Sequence, residues 1–165
     1  MTWEDEKAWS DKYLQEIRMM LGLVLFQEPP IEQDMIQNTD LRIFTANDVR
    51  IACRIRRNKY INYKDDFTIR AKSRTGTPTE LDKLLYGFGD YIFYGFAPAD
   101  ESNRWLAYWT IGDLSVFRSE YPTLSNRELK NNKGYDTSFY TFKWDEFSDD
   151  FIVARRNGRD LFIAK

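Results

Sequence analysis

The chain has 165 residues, 42% of them apolar and 16% aromatic, with 24 basic and 26 acidic side chains for a net charge of −2; this suffices for one core and is too little for two domains. Histidine is absent and Cys53 stands alone, which excludes imidazole acid–base chemistry, Ser-His and Cys-His nucleophile pairs, histidine-containing zinc sites and an internal disulfide. No apolar run reaches the roughly 20 residues of a membrane span, so the composition predicts a soluble, cytoplasmic protein with no membrane partner.

Residues 2–26 read as one helix. Trp9, Tyr13, Met20 and Val24 form one stripe, Leu14, Ile17 and Leu21 the adjoining one, and charged residues mostly face outward with a period of 3.6. Thr2 and Asp5 are spaced as a capping pair, and Pro29-Pro30 stops the helix by removing backbone donors. Segment 31–38 reads equally as a short strand or a lead-in. Residues 40–44 alternate as a strand, 45–48 have turn composition, and 49–57 alternate again, so the two strands are expected to join across that turn. In the second strand Val49, Ile51, Cys53 and Ile55 face a core, with Cys53 inside, while Arg50, Ala52, Arg54 and Arg56 share the opposite face.

A further strand is expected at 66–72. A loop and a short helix follow, capped by Thr77 or Thr79, with Leu81, Leu84 and Leu85 as its stripe and Gly87 and Gly89 as its stop. Glu80 and Asp82 read as first-turn acids that favour the helix dipole. The sequence YIFYGF (91–96) suits a strand covered on both faces, RWLAYWTI (104–111) another strand, and GDLSVFRSEY (112–121) a turn into a short helix. Residues 119–138 read as a polar connecting loop, within which Ser125 and Glu128 are spaced as a helix start. Residues 138–147 alternate like a strand, and Asn157-Gly158 between two apolar runs gives a type I′ hairpin turn ringed by Arg155, Arg156 and Arg159. The predicted organisation is a single domain, with a core over 1–118, the connecting loop over 119–138, and strands and hairpin over 139–165 packed on that core.

Charge is spread unevenly. Residues 50–74 hold nine basic side chains against Asp65 and Asp66, a local +7 that leaves −9 for the rest. A basic face on an acidic body suits a phosphate backbone or an acidic partner. The same residues also suit a solvated sheet edge guarded by lysine and arginine.

In order, the first part reads helix, the segment that is a strand or a lead-in, strand, strand, strand-like arm, helix, strand, strand, with Asp40 heading one strand and Glu16 at the border of the inward stripe of the first helix. This resembles the PD-(D/E)XK, or restriction-endonuclease-like, superfamily. The resemblance implies an α+β fold with an α/β-like core, a mixed β-sheet flanked by helices, here followed by the C-terminal β-hairpin. It also implies a Mg²⁺ site in which a strand aspartate (Asp40), a helix glutamate (Glu16) and a Glu/Asp-x-Lys triplet hold the ion against a scissile phosphate. The triplet is missing: Ala52-Cys53-Arg54 stands in one register and Arg54-Ile55-Arg56 in the next. An arginine there opposes a metal ion, and although Arg54 can stabilise a phosphoryl charge it is no general base.

Three functions follow from these residues. The first is a nucleic-acid-binding protein of phage or mobile-element type, with a degenerate, inactive metal site and no cofactor. It would grip its ligand through Arg50, Arg54, Arg56, Arg57, Lys59, Arg70, Lys72 and Arg74, with Arg155 and Arg156 at the hairpin. The second is an active Mg²⁺-dependent endonuclease with migrated ligands, using Asp40 and Glu16 for the metal, Arg54 as the catalytic cation, and Glu80 or Asp90 in support. The third is a protein–protein interaction module that inhibits a host defence factor.

Overall fold

The computed structural model describes residues 2–27, 42–43, 49–72, 76–125, 127–132, 137–158 and 160–164. The N-terminal segment forms two helices rather than one: α1 spans Trp3–Asp11, opened by the Thr2–Asp5 capping box, and α2 spans Leu14–Leu25. The bend between them carries the end of α1 onto the loop at Glu101. Trp9 Nε1 donates to Glu101 Oε2 at 2.9 Å, and Lys12 Nζ donates to the Glu101 carbonyl at 2.7 Å. Tyr13, at the bend, is fully buried and meets the Trp9 ring edge-on at 5.7 Å.

Short strands β1 (Phe26–Gln27) and β2 (Arg42–Ile43) pair antiparallel with each other. The following strand, β3 (Ile51–Arg56), instead pairs in parallel with β5 (Tyr91–Phe96). The expected pairing of 40–44 with 49–57 is therefore corrected. A parallel partner demands a crossover, and β4 (Asp66–Lys72) with α3 (Glu80–Leu85) supplies it. Asp40, the turn at 45–48 and segment 31–38 lie outside the described residues.

The remaining elements are β6 (Tyr108–Asp113), α4 (Leu114–Glu120), β7 (Leu129–Asn131), β8 (Ser138–Lys143), β9 (Ile152–Asn157) and β10 (Asp160–Ile163). They build a mixed five-stranded sheet in the order β10-β9-β6-β5-β3 and an antiparallel three-stranded sheet in the order β4-β8-β7. Part of the stretch read as a connecting loop is thus the strand β7. Ser125 and Glu128 start no helix, because the ladder to β8 holds Leu129–Asn131 extended and Glu128 pairs with Lys130 at 3.2 Å. Strands β9 and β10 complete the larger sheet, and β10 returns antiparallel past Gly158, whose φ of 60° suits a residue without Cβ.

Alternation along β5 feeds two cores. Phe93, with Ile51, Ile55, Trp109, Ile111 and Ala154 of neighbouring strands, packs against Tyr13, Ile17 and Met20. Ile92, Tyr94 and Phe96 face the other way, toward Phe67, Ile69 and Phe142 of the second sheet and toward α3 and α4. Phe67 is the hub of that second core, its ring 4.4 Å from Trp144 and 5.3 Å from Phe142. Cys53 lies on the helix-facing side between Ile51 and Ile55 yet is exposed, because β3 is the sheet edge; the expectation of a buried thiol is corrected. The architecture is α+β, a mixed sheet flanked by helices. Among the described residues no helix is long and apolar enough to cross a membrane.

Candidate anion-binding cleft

With a period of two, β3 turns Ala52, Arg54 and Arg56 toward β4 and α3. There the edges of the two sheets are joined by side chains rather than by a backbone ladder. Arg54 Nη1 donates to the carbonyl and hydroxyl of Thr68, both at 3.3 Å, and its Nη2 donates to Glu80 Oε2 at 2.6 Å. Glu80 is held in place because Thr79 and Asp82 form the capping box that opens α3. The same Glu80 oxygen accepts the Arg70 backbone N–H at 3.0 Å.

Arg56 is bound differently. Its Nη1 donates to Thr68 Oγ1 and to Tyr94 Oη, both at 3.2 Å, and those two hydroxyl oxygens are 3.1 Å apart. The guanidinium carbon lies 4.4 Å from the centre of the Tyr60 ring. Among the described residues Arg56 has no carboxylate partner, so its charge is oriented but not neutralised.

Around these groups lies a cleft of about 640 Å³. Its floor is the face of β4 and β8 turned away from the core, carrying Asp66, Thr68, Arg70, Phe139 and Thr141. Its walls are Arg54, Arg56 and Tyr94, the Tyr60 and Tyr63 rings of the 3₁₀ turn Asn58–Tyr63, and Lys130 with Asn131 from β7. The lining holds four cations, Arg54, Arg56, Arg70 and Lys130, and one carboxylate, Asp66. Burial raises the Asp66 carboxyl above its ordinary range; Asp65 and Glu146 add to the rise, and Lys143 and Lys130 oppose it. A second cleft of about 590 Å³, lined by Arg50, Lys83, Glu80 and Phe88 among others, shares Arg54 and Arg70 with the first. The two adjoin at these shared arginines, and together they are called the trench.

Glu16 is not part of this site. It is 3% exposed on the helix side of the larger sheet, opposite the face that carries Arg54. Its Oε2 accepts the Leu106 N–H, its Oε1 lies 2.9 Å from Arg156 Nη2, and Arg156 donates to the Leu106 carbonyl. The Glu16–Arg156 contact is one of charge, since Oε1 lacks an aligned hydrogen bond. Burial raises the Glu16 carboxyl, against the lowering effect of the Leu106 N–H and Arg156. Both carboxylate oxygens are thus committed, and Glu16 does not fit the role of a Mg²⁺ ligand. Among the described residues no group of three acidic or cysteine side chains is placed to hold a metal ion. Asp40 lies outside the described residues; of the expected trio with Glu16 and Arg54, the latter two lie on opposite faces of the larger sheet.

The basic residues divide in the same way. Arg54, Arg56 and Arg70 line the trench, with Arg50 at its end, where the Arg50 N–H donates to Asp90 Oδ2 at 2.7 Å and its guanidinium lies 6.0 Å from the Phe88 ring. Lys59 is exposed beside Tyr60, and Lys72 is exposed at the end of β4. Arg57 turns away to α1, 3.3 Å from both Glu6 and Glu101 and stacked on Trp9 at 4.2 Å. Arg155 is exposed on β9, Arg156 is the half-buried partner of Glu16, and Arg74 lies outside the described residues. The candidate ligands Glu80 and Asp90 pair with Arg54 and Arg50.

Thr68, Tyr60, Tyr63, Tyr94, Phe139 and Lys130 were not anticipated. For the tyrosines a signal existed in NKYINYK (58–64), where cations and rings interleave; Lys130 joins only through the β7–β8–β4 ladder. Comparison with protein-family models, curated proteins and solved structures finds no match.

Proposed function

We propose that the protein binds nucleic acid along the trench centred on Arg54, Arg56 and Arg70, without a cleavage step of its own. The observation that carries this reading is Arg56, a guanidinium fixed by two hydroxyls and a ring while no carboxylate among the described residues pairs with it. A planar cation held this way is preorganised for phosphate oxygens. Arg54 is offset by Glu80, so among the described residues of the first cleft's lining Arg56 and Arg70 are the arginines that carry charge without an ion-pair partner. Kinship with the restriction-endonuclease-like superfamily belongs to the same proposal. It is supported by a mixed sheet preceded by helices and by α3 between two of its strands, with arginine and alanine where the acidic triplet would stand.

Fluorescence anisotropy of a labelled oligonucleotide against salt concentration tests it. Each phosphate contact contributes a slope of about 0.7–0.9 in log K against log salt, so Arg56→Ala is expected to flatten the line by that amount and weaken binding about tenfold. Arg155→Ala, on β9 with two strands between it and β3, leaves both unchanged. Binding that ignores salt, or that survives Arg56→Ala intact, overturns the proposal.

A further inference from the structure

We infer that the ligand of the trench is a single strand several nucleotides long with its bases unpaired, rather than a duplex or a lone nucleotide. This rests on the nucleic-acid reading above and narrows it. The evidence is the company the cations keep. Tyr63, 61% exposed, and Phe139, half-buried, line the same cleft as Arg56 and Arg70. A duplex stacks its base faces on one another and offers a protein mainly phosphates and groove edges, so exposed rings beside the phosphate-binding cations have nothing to stack on. An unpaired strand offers every base face. Arg56 stacked on Tyr60 extends the surface, since a guanidinium plane also receives a base.

Length follows from the two clefts meeting at Arg54 and Arg70. Phe88, 58% exposed, stands in one cleft and Tyr63 in the other, so a strand crossing the shared arginines meets a ring on either side of them. A lone nucleotide would use one cleft only. Asn131 adds a means of reading base edges, because its side-chain oxygen is occupied by the Ser138 hydroxyl at 2.8 Å while its amide hydrogens remain donors.

The full-length chain is titrated with four probes: a labelled strand of about ten nucleotides, within the usual span of a small single-strand-binding domain, the same strand as a duplex, the same backbone without bases, and a mononucleotide. The base-bearing strand is expected to bind about tenfold tighter than each of the others. Tyr63→Ala should weaken that strand about fivefold or more while leaving its salt slope and the base-free backbone unaffected. Tyr63 is exposed, and an unchanged melting curve confirms that the variant folds. Equal binding of duplex, base-free backbone or mononucleotide, or an indifferent Tyr63→Ala, overturns this inference; salt-dependent binding in those same titrations would leave the nucleic-acid reading standing. If no probe binds, both fall.

Discussion

Glu16 and Arg156 form a pair that packing, rather than solvent, defines. Their side chains are 2% and 18% exposed at a separation of 2.9 Å, and Leu106 bonds to both through its backbone. Removing one member of such a pair strands the other charge, which costs about 3–5 kcal/mol, whereas replacing both with apolar groups of similar size is neutral or stabilising by about 1–4 kcal/mol. Glu16→Ala is therefore expected to lower stability by the first amount in urea titrations, and Glu16→Leu with Arg156→Met to restore it. A double variant as unstable as the single one would refute this account. The pair also has a pH signature. Burial raises Glu16 above its ordinary value of 4.5, so the folded chain keeps a proton that the unfolded chain releases. The part of the stability that comes from this retained proton is complete below 4.5 and is lost as pH rises through the raised folded value, which leaves the ion pair with Arg156. The advantage of the parent chain over Glu16→Ala should shrink in that direction.

Among the elements, α3 matters most to the trench, although it is only one and a half turns long. Its first residue, Glu80, binds β3 through Arg54 and β4 through the Arg70 N–H, so one carboxylate positions the trench and offsets part of its charge. Glu80→Gln keeps an oxygen for the Arg70 N–H and removes the negative charge. A partly solvated contact of this kind is worth up to about 1 kcal/mol, so oligonucleotide affinity should rise about fivefold with little change in melting temperature; unchanged or weaker binding would show that Glu80 does not compete with the ligand. How far such an arrangement is legible beforehand depends on range. The faces of β3 follow from a local period, and Arg54 and Arg56 do emerge together on the face away from Ile51 and Ile55. Its partner does not, because turn composition at 45–48 favours a sequence neighbour while the parallel match with β5 is decided across β4 and α3. Glu16 sits at the border of an apolar stripe and is buried, but nothing near it announces Arg156. Thr68 as the hydroxyl shared by Arg54 and Arg56 depends on two sheet edges meeting, which no local pattern encodes.

Across the whole molecule, the two ends of the larger sheet differ. At β3 the outer edge is crowded by the arginines that reach Thr68 and by the 3₁₀ turn. At β10 no further strand follows in the sheet among the described residues, and Leu161, Phe162 and Ile163 are 48%, 49% and 41% exposed. An open edge with three large apolar side chains is a template for pairing, and natural edges are usually guarded by lysine, proline or a bulge. Among the described residues β10 carries only Asp160, at its start. The chain should therefore self-associate as its concentration rises, and Phe162→Lys should suppress this by placing a charge on the edge without touching either core. Light scattering over a concentration series reads the effect as a falling apparent mass. Because β10 lies at the opposite end of the sheet from β3, the same variant should bind oligonucleotides as the parent does, separating association at one edge from recognition at the other. A parent chain that stays monomeric throughout the series would show the edge to be protected by something other than charge.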